Sequence, residues 1–291
     1  MNSGLVRVMN CFTVDIEDWY QGLVSLPREK WGYCEDRTER NTEKILSLLS
    51  EFRVQATFFV LGCVAERHPE LIRKIEDSGH EIAVHGYDHR FIYNQTEDEF
   101  EKDIVRTLGI LKKICRHEIE GYRAPFFSIR RDSLWALEVL CRRGIKYDSS
   151  IYPVYSPFFG VPGFPRFPHK IILKEFNLIE YPPSTARILG CNIPFAGGFF
   201  FRVLPYRFIR YGLRALNAGG HPGMVYLHPF DIDPDMPEVQ GLSRFWKFVH
   251  YYSPGNTEKK LRKMLEEFSF TSVRNLMQGN QAFSGIPELE I

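Results

Sequence analysis

The stretch Cys11-Phe-Thr-Val-Asp-Ile-Glu-Asp-Trp-Tyr20 ends a short apolar run in three carboxylates, Asp15, Glu17 and Asp18. Ionised groups taken from water are costly unless they are paired or hold a metal, so this cluster points to proton transfer or metal binding. The competing reading is that Asp15 and Asp18 cap a helix or shape a turn. Further along, His85-Gly-Tyr-Asp-His89 places two imidazoles four residues apart, and these can meet one ion at about 2.0 to 2.1 Å if the chain turns after a strand. Position 86 is Gly, which excludes the helical H-E-x-x-H of zinc proteases. Two histidines with one carboxylate would leave open positions for water and substrate. A third histidine, His228, closes the run Met224-Val-Tyr-Leu.

Strand ends must position these groups. Phe12, Thr13 and Val14 are β-formers, and Ala56-Thr-Phe-Phe-Val-Leu61, Glu81-Ile-Ala-Val-His85 and Met224-Val-Tyr-Leu-His228 read as further buried strands. Apolar residues at helical spacing follow them, in 38–52, from Pro69 to a stop at Gly79, in 97–115, and in 131–143 with a stop at Gly144. Gly121 to Pro125 reads as a short strand and turn. Helical spacing returns in 205–218 and 257–268. Strand alternating with helix predicts an α/β fold, a parallel sheet or barrel whose carboxyl strand ends share one face. The segment from about 150 to 205 interrupts this rhythm with eight prolines between 153 and 194, and is expected to lay long loops and short strands over the site. The chain is read as one catalytic domain, 1–278, with a poorly ordered tail at 279–291.

The 291 residues carry 37 basic and 36 acidic side chains, a balance that offers no footprint for nucleic acid. The six cysteines are scattered without C-x-x-C spacing, which suits a reducing compartment. No apolar run reaches the length of about 18 residues needed to span a bilayer, and the amino terminus lacks the apolar core of a signal peptide, so a cytoplasmic protein is expected.

On these residues the chain resembles the polysaccharide deacetylases of the NodB-homology type, carbohydrate esterase family four. Phe12 to Asp18 is similar to the first motif of that family, His85 to His89 to the second, Arg123-Ala-Pro-Phe126 to the third with Phe in place of Tyr, Tyr147 to Pro153 to the fourth, and Leu227-His228-Pro229 to the fifth. The resemblance implies an irregular (β/α) barrel carrying the proline- and aromatic-rich insertion. It implies one divalent metal, zinc first among Zn, Co, Fe and Mn, held by His85, His89 and a carboxylate. Strand alternation favours Glu17 for that carboxylate and the family's ligand type favours Asp18; the reading leans to Asp18. Asp15 would be the base, Arg123 its brace and His228 the acid. Asp148 would brace His228 or Arg123, and a backbone amide beyond Phe126 would meet the oxyanion.

The implied substrate is an N-acetylated glycan or a lipid-linked saccharide. The D-x-E-D-W form of the first motif most resembles the subfamily of exopolysaccharide loci. Two alternatives stand beside this, a deformylase or amidase on the same fold and a glycan-binding protein without catalysis. Tyr152, Tyr155, Phe158, Phe159, Phe199, Phe200 and Phe201 are expected to be core or to stack on sugar rings, and His221 and His250 to be structural.

Overall fold

The computed structural model describes residues 8–252, 254–279 and 285–291. Its strands are β1 (Met9–Ile16), β2 (Thr57–Val60), β3 (Glu81–Val84), β4 (Gly121–Tyr122), β5 (Tyr147–Asp148), β6 (His169–Leu173), β7 (Phe176–Glu180), β8 (Thr185–Ile188), β9 (Cys191–Pro194), β10 (Met224–Leu227), β11 (Ser269–Thr271) and β12 (Glu288–Glu290). One sheet runs β10-β1-β2-β3-β4-β5-β7-β6-β12, with β11 also on β1, while β8 and β9 pair separately. From β10 to β7 every neighbouring pair is parallel. Parallel strands need crossovers, and the helices Thr38–Glu51, Pro69–Asp77, Glu97–Ile114 and Trp135–Arg142 supply them. This is the α/β architecture expected. Among the described residues no ladder joins β10 to β12, so the sheet does not close into a ring. The outer edge of β10 instead meets Gly197 and Ser184.

Local chemistry explains the helix limits. Thr96 and Glu99 form a capping box at the start of Glu97–Ile114. Gly79 and Gly144 follow helices with φ of +83° and +86°, a backbone region that side chains disfavour.

The alternation of β1 decides what the sheet presents on each side. Phe12, Val14 and Ile16 join the large core under the helices, while Cys11 packs with Phe59, Ala83, Tyr147 and Met224 on the other face. Thr13 and Asp15 share the face of Cys11 by the period of two. Along that inner face the polar groups start at the amino end, where Glu81 accepts from Thr57 Oγ1 at 2.6 Å and Tyr147 Oη at 2.9 Å. They resume at the carboxyl end, where the candidate residues lie.

Several expectations need correction. The helix expected over 131–143 is a 3-10 turn at Arg131–Ser133 followed by Trp135–Arg142. The last long helix begins at Pro254, three residues earlier than its apolar spacing suggests. Within the insertion, β6 and β7 do not lie over the site but form a hairpin that extends the main sheet through β5. The expected disordered tail is partly wrong: β12 pairs with β6, and Lys170 lies 3.1 Å from Glu288. Residues 280–284 of that tail lie outside the described residues. No described helix is long and apolar enough to cross a membrane.

Asp148 and Glu180 are register partners on β5 and β7, fully buried and hydrogen-bonded to each other. Burial first, then the neighbouring carboxylate, raises Glu180 well above the usual carboxylate range, so the pair keeps a proton between them. A carboxyl raised in the folded state stabilises the fold at low pH, and that contribution is lost as pH rises through the folded value. Thermal unfolding followed from pH 5 to 9 should therefore show a stability decline with rising pH that Glu180→Gln flattens. An unchanged pH dependence in that variant would place the proton elsewhere.

Candidate active site

At the carboxyl end of β1, Asp15 Oδ1 lies 2.6 Å from Arg123 Nη1, and Arg123 is completely buried. A buried guanidinium requires a partner for each of its donors. Nη1 also donates to Thr13 Oγ1 at 2.8 Å, Nη2 to Ser149 Oγ at 2.9 Å, and the plane of the group covers the Phe59 ring at 4.1 Å. Arg123 follows β4, and its carbonyl accepts from His85 Nδ1 at 2.8 Å. That bond commits the His85 Nδ1 proton and leaves Nε2 as the free lone pair.

The chain turns after β1 at Glu17, whose amide donates to the Asp15 carbonyl at 3.0 Å. This keeps the Glu17 carboxylate on the inner face. Glu17 Oε2 lies 2.6 Å from His89 Nε2, and donor atoms of Glu17, His85 and His89 all fall within 4.8 Å of one another. Gly86 at φ +76° and His89 at φ +60° turn the chain after β3 and bring the second imidazole back over the first. Despite the close approach, buried Glu17 Oε2 makes no hydrogen bond, which suits lone pairs gathered toward a shared ion rather than toward each other. The set fits a divalent metal that takes nitrogen and oxygen ligands. Burial, then the nearby His89, pushes His85 down to about 3, keeping it neutral as a ligand must be. Burial would raise Glu17, but His89 and His228 outweigh it and hold the carboxylate below its ordinary range.

His228 follows β10 and closes the centre from the other side. Its Nδ1 donates to Asp231 Oδ2 at 2.9 Å, while Nε2 lies 3.3 Å from Glu17 Oε1 and 3.9 Å from Asp15 Oδ2. Burial opposes its charge, yet Asp231 and Glu17 raise it to about 9, so the ring holds a proton at neutral pH. Asp231 in turn meets Arg202 Nε at 2.7 Å.

The structure thus brings Asp15, Glu17, His85, His89, Arg123 and His228 together and leaves two candidates out. Asp18 corrects the lean: its carboxylate accepts from the amides of Trp19 at 2.8 Å and Arg37 at 2.6 Å, tying down the loop that follows β1. Burial pushes it up to about 6. Asp18 thus sits in a turn, and it is Glu17, the residue favoured by strand alternation, whose carboxylate lies with His85 and His89. Asp148 bonds Ser150 and Glu180 and is neither the brace of His228 nor of Arg123. Asp231 and Ser149 occupy those roles. Asp231 was missed, although its position three residues after His228 across Pro229 is a capping spacing that could have revealed it. Amides beyond Phe126 are also spent, Phe127 on Ala124 and Ser128 on Pro125.

A cleft of about 720 Å³ opens from this centre. Tyr155, Phe158, Phe159, Phe199 and Phe200 of the insertion line it, whereas Tyr152 and Phe201 are core. Phe91, stacked on Phe126 at 4.3 Å, forms part of one wall, and Phe245, Trp246 and His250 from helix Arg244–Tyr251 form part of another. His250 was expected to be only structural.

Residues 32–143 match the family model described as Polysaccharide deacetylase, and residues 149–278 match a Domain of unknown function (DUF3473). Asp15 and Glu17 precede the first match and His228 lies in the second. A peptidoglycan-N-acetylglucosamine deacetylase of Bacillus cereus is 37% identical over 98 residues, 33% of this chain and 36% of that protein. The chain spans less than half the length of the first curated relatives it matches. The crystal structure of a candidate polysaccharide deacetylase from Mycobacterium smegmatis superposes with a TM-score of 0.68 at 20% identity, covering 97% of this chain and 93% of that one. The structure of Puue allantoinase gives 0.65 at 15% identity with the same coverage of both chains. At such identities the likeness shows the fold.

Metal content separates the two carboxylates that the sequence left open. Glu17→Ala, His85→Ala and His89→Ala should each lower bound zinc or cobalt at least about tenfold in affinity, the range for loss of a metal-site group, while Asp18→Asn keeps it. Elemental analysis after dialysis reads this directly, and metal lost from Asp18→Asn but kept in Glu17→Ala would reverse the assignment.

Proposed function

We propose that this chain is a polysaccharide deacetylase, a metal-dependent hydrolase that removes N-acetyl groups from amino sugars of a glycan. One observation carries the reading: a carboxylate fixed by Arg123 and an imidazolium fixed by Asp231 come within 3.9 Å of each other beside the Glu17, His85 and His89 set. A divalent metal bound by those three, zinc first among Zn, Co, Fe and Mn, would polarise the amide carbonyl and lower the pKa of a water.

The chain's own groups then have definite tasks. Arg123 occupies Asp15 Oδ1, leaving Oδ2 to accept the proton of the attacking water. His228 Nε2, 3.9 Å from that oxygen, donates its proton to the departing amine. Asp231 keeps that proton available by charge and holds the ring by accepting from both His228 Nδ1 and the His228 amide, the latter at 2.8 Å. Phe91 and Phe126 wall off the side next to His89 and exclude water.

The D-x-E-D-W form of the first motif supports a place in exopolysaccharide or cell-surface glycan synthesis. Six free cysteines suit a reducing, cytoplasmic setting.

Acetate release from N-acetylated oligosaccharides tests the reading. Asp15→Asn and His228→Ala should fold and keep metal yet lose about a hundredfold to ten-thousandfold in rate; activity near wild type in either would sink the mechanism. Asp231→Asn removes the charge that raises His228. Its pKa then falls, so the alkaline limb of the kcat profile should move to lower pH. A limb that stays in place would belong to another group.

A further inference from the structure

Walls that bind a polyhydroxylated chain must return the hydrogen bonds its hydroxyls lose on leaving water. Away from the carboxylates and imidazoles of the centre, this cleft has little to return. Arg202 is spent on the carbonyls of Val249, His250 and Tyr252 and on Asp231. Ser156 Oγ accepts from the Phe158 amide at 3.2 Å. Tyr93, Tyr155, Tyr226, His250 and the indole nitrogen of Trp246 are the other polar side-chain groups on walls enclosing about 720 Å³.

The rest is hydrocarbon. Phe158, after β5, and Trp246, on helix Arg244–Tyr251, converge from separate elements with ring centroids 6.1 Å apart. Phe199 meets Phe248 of the same helix at 5.8 Å. Phe158, Phe245 and Trp246 remain 49%, 65% and 39% exposed, a contiguous apolar surface that continues into the reacting centre. Such a surface marks a binding site for something apolar.

We propose that the cleft holds a hydrocarbon chain carried by the amino-sugar substrate, so that the enzyme acts on an amphipathic glycoconjugate rather than on a free soluble glycan. This rests on the deacetylase reading above. Two sources share the chemistry, a lipid attached at the anomeric carbon and a long N-acyl group. Each methylene withdrawn from water contributes about fourfold in affinity, from about 0.8 kcal/mol.

The metal-loaded chain is assayed for amine release on three substrates below their micellar concentrations: octyl N-acetylglucosaminide, free N-octanoylglucosamine and the N-acetylglucosamine tetramer. One of the octyl compounds should exceed the tetramer in kcat/KM by about tenfold or more, and Trp246→Ala should cut that ratio by about tenfold. The preferred octyl compound identifies the source of the chain. A tetramer turned over as well as both octyl compounds, or a ratio unmoved by Trp246→Ala, overturns the proposal. Calorimetry on metal-loaded Asp15→Asn protein reads binding apart from turnover. Tighter binding of an octyl compound than of the tetramer, weakened by Trp246→Ala, supports the hydrocarbon site even with no amine released, in which case the deacetylase reading alone fails; equal binding overturns the hydrocarbon site.

Discussion

Everything at the carboxyl face of the sheet depends on burying one cation. Arg123 is cut off from water, and such a charge survives only where each donor finds an acceptor. Those acceptors come from β1 through Thr13 and Asp15 and from the segment after β5 through Ser149. The Arg123 main chain meanwhile orients His85. One residue thereby aims the base with its side chain and a ligand imidazole with its carbonyl. Its burial also makes the site rigid, because breaking a pair of this kind typically costs about 3 to 5 kcal/mol by stranding a charge.

Around that cation the histidines are driven to opposite states by their neighbours. His85 faces burial, another imidazole and the Arg123 charge, and stays neutral. His228 is only partly buried, is enclosed by Asp231, Glu17 and Asp15, and is charged. The same side chain thus serves as a lone-pair donor in one place and a proton donor in the other. Arg202 completes the line by neutralising Asp231, so that charges alternate in sign from the helix Gly198–Val203 to the reacting centre.

The small polar centre and its wide aromatic surround come from different parts of the chain. The centre sits at the carboxyl ends of β1, β3, β4 and β10 and in the turns that follow β1 and β3. The surround comes from the insertion, the turn holding Phe126 and the helix Arg244–Tyr251. Substrate preference can therefore change through the surround without disturbing the charges at the centre.

The α/β class, the strand ends that carry Asp15, His85 and His228 and, through the alternation of β1, the inward side of Glu17 are legible in the residue pattern alone. These are local properties: a buried strand must alternate and its polar residues must cluster where it ends. Motif likeness misled at Asp18, because ligand type says nothing about which way a turn directs a side chain. Tertiary structure alone decided that Asp148 pairs with Glu180, that Asp231 and Ser149 do the bracing expected of it, and that Glu288–Glu290 completes an edge rather than trailing free. It also decided which aromatics became core and which became wall, since Tyr152 and Phe158 lie in one proline-rich segment with similar composition around them. Each of those outcomes depends on a partner distant in sequence, and a hydrogen bond or burial contact across such a separation leaves no periodic trace in the chain that makes it.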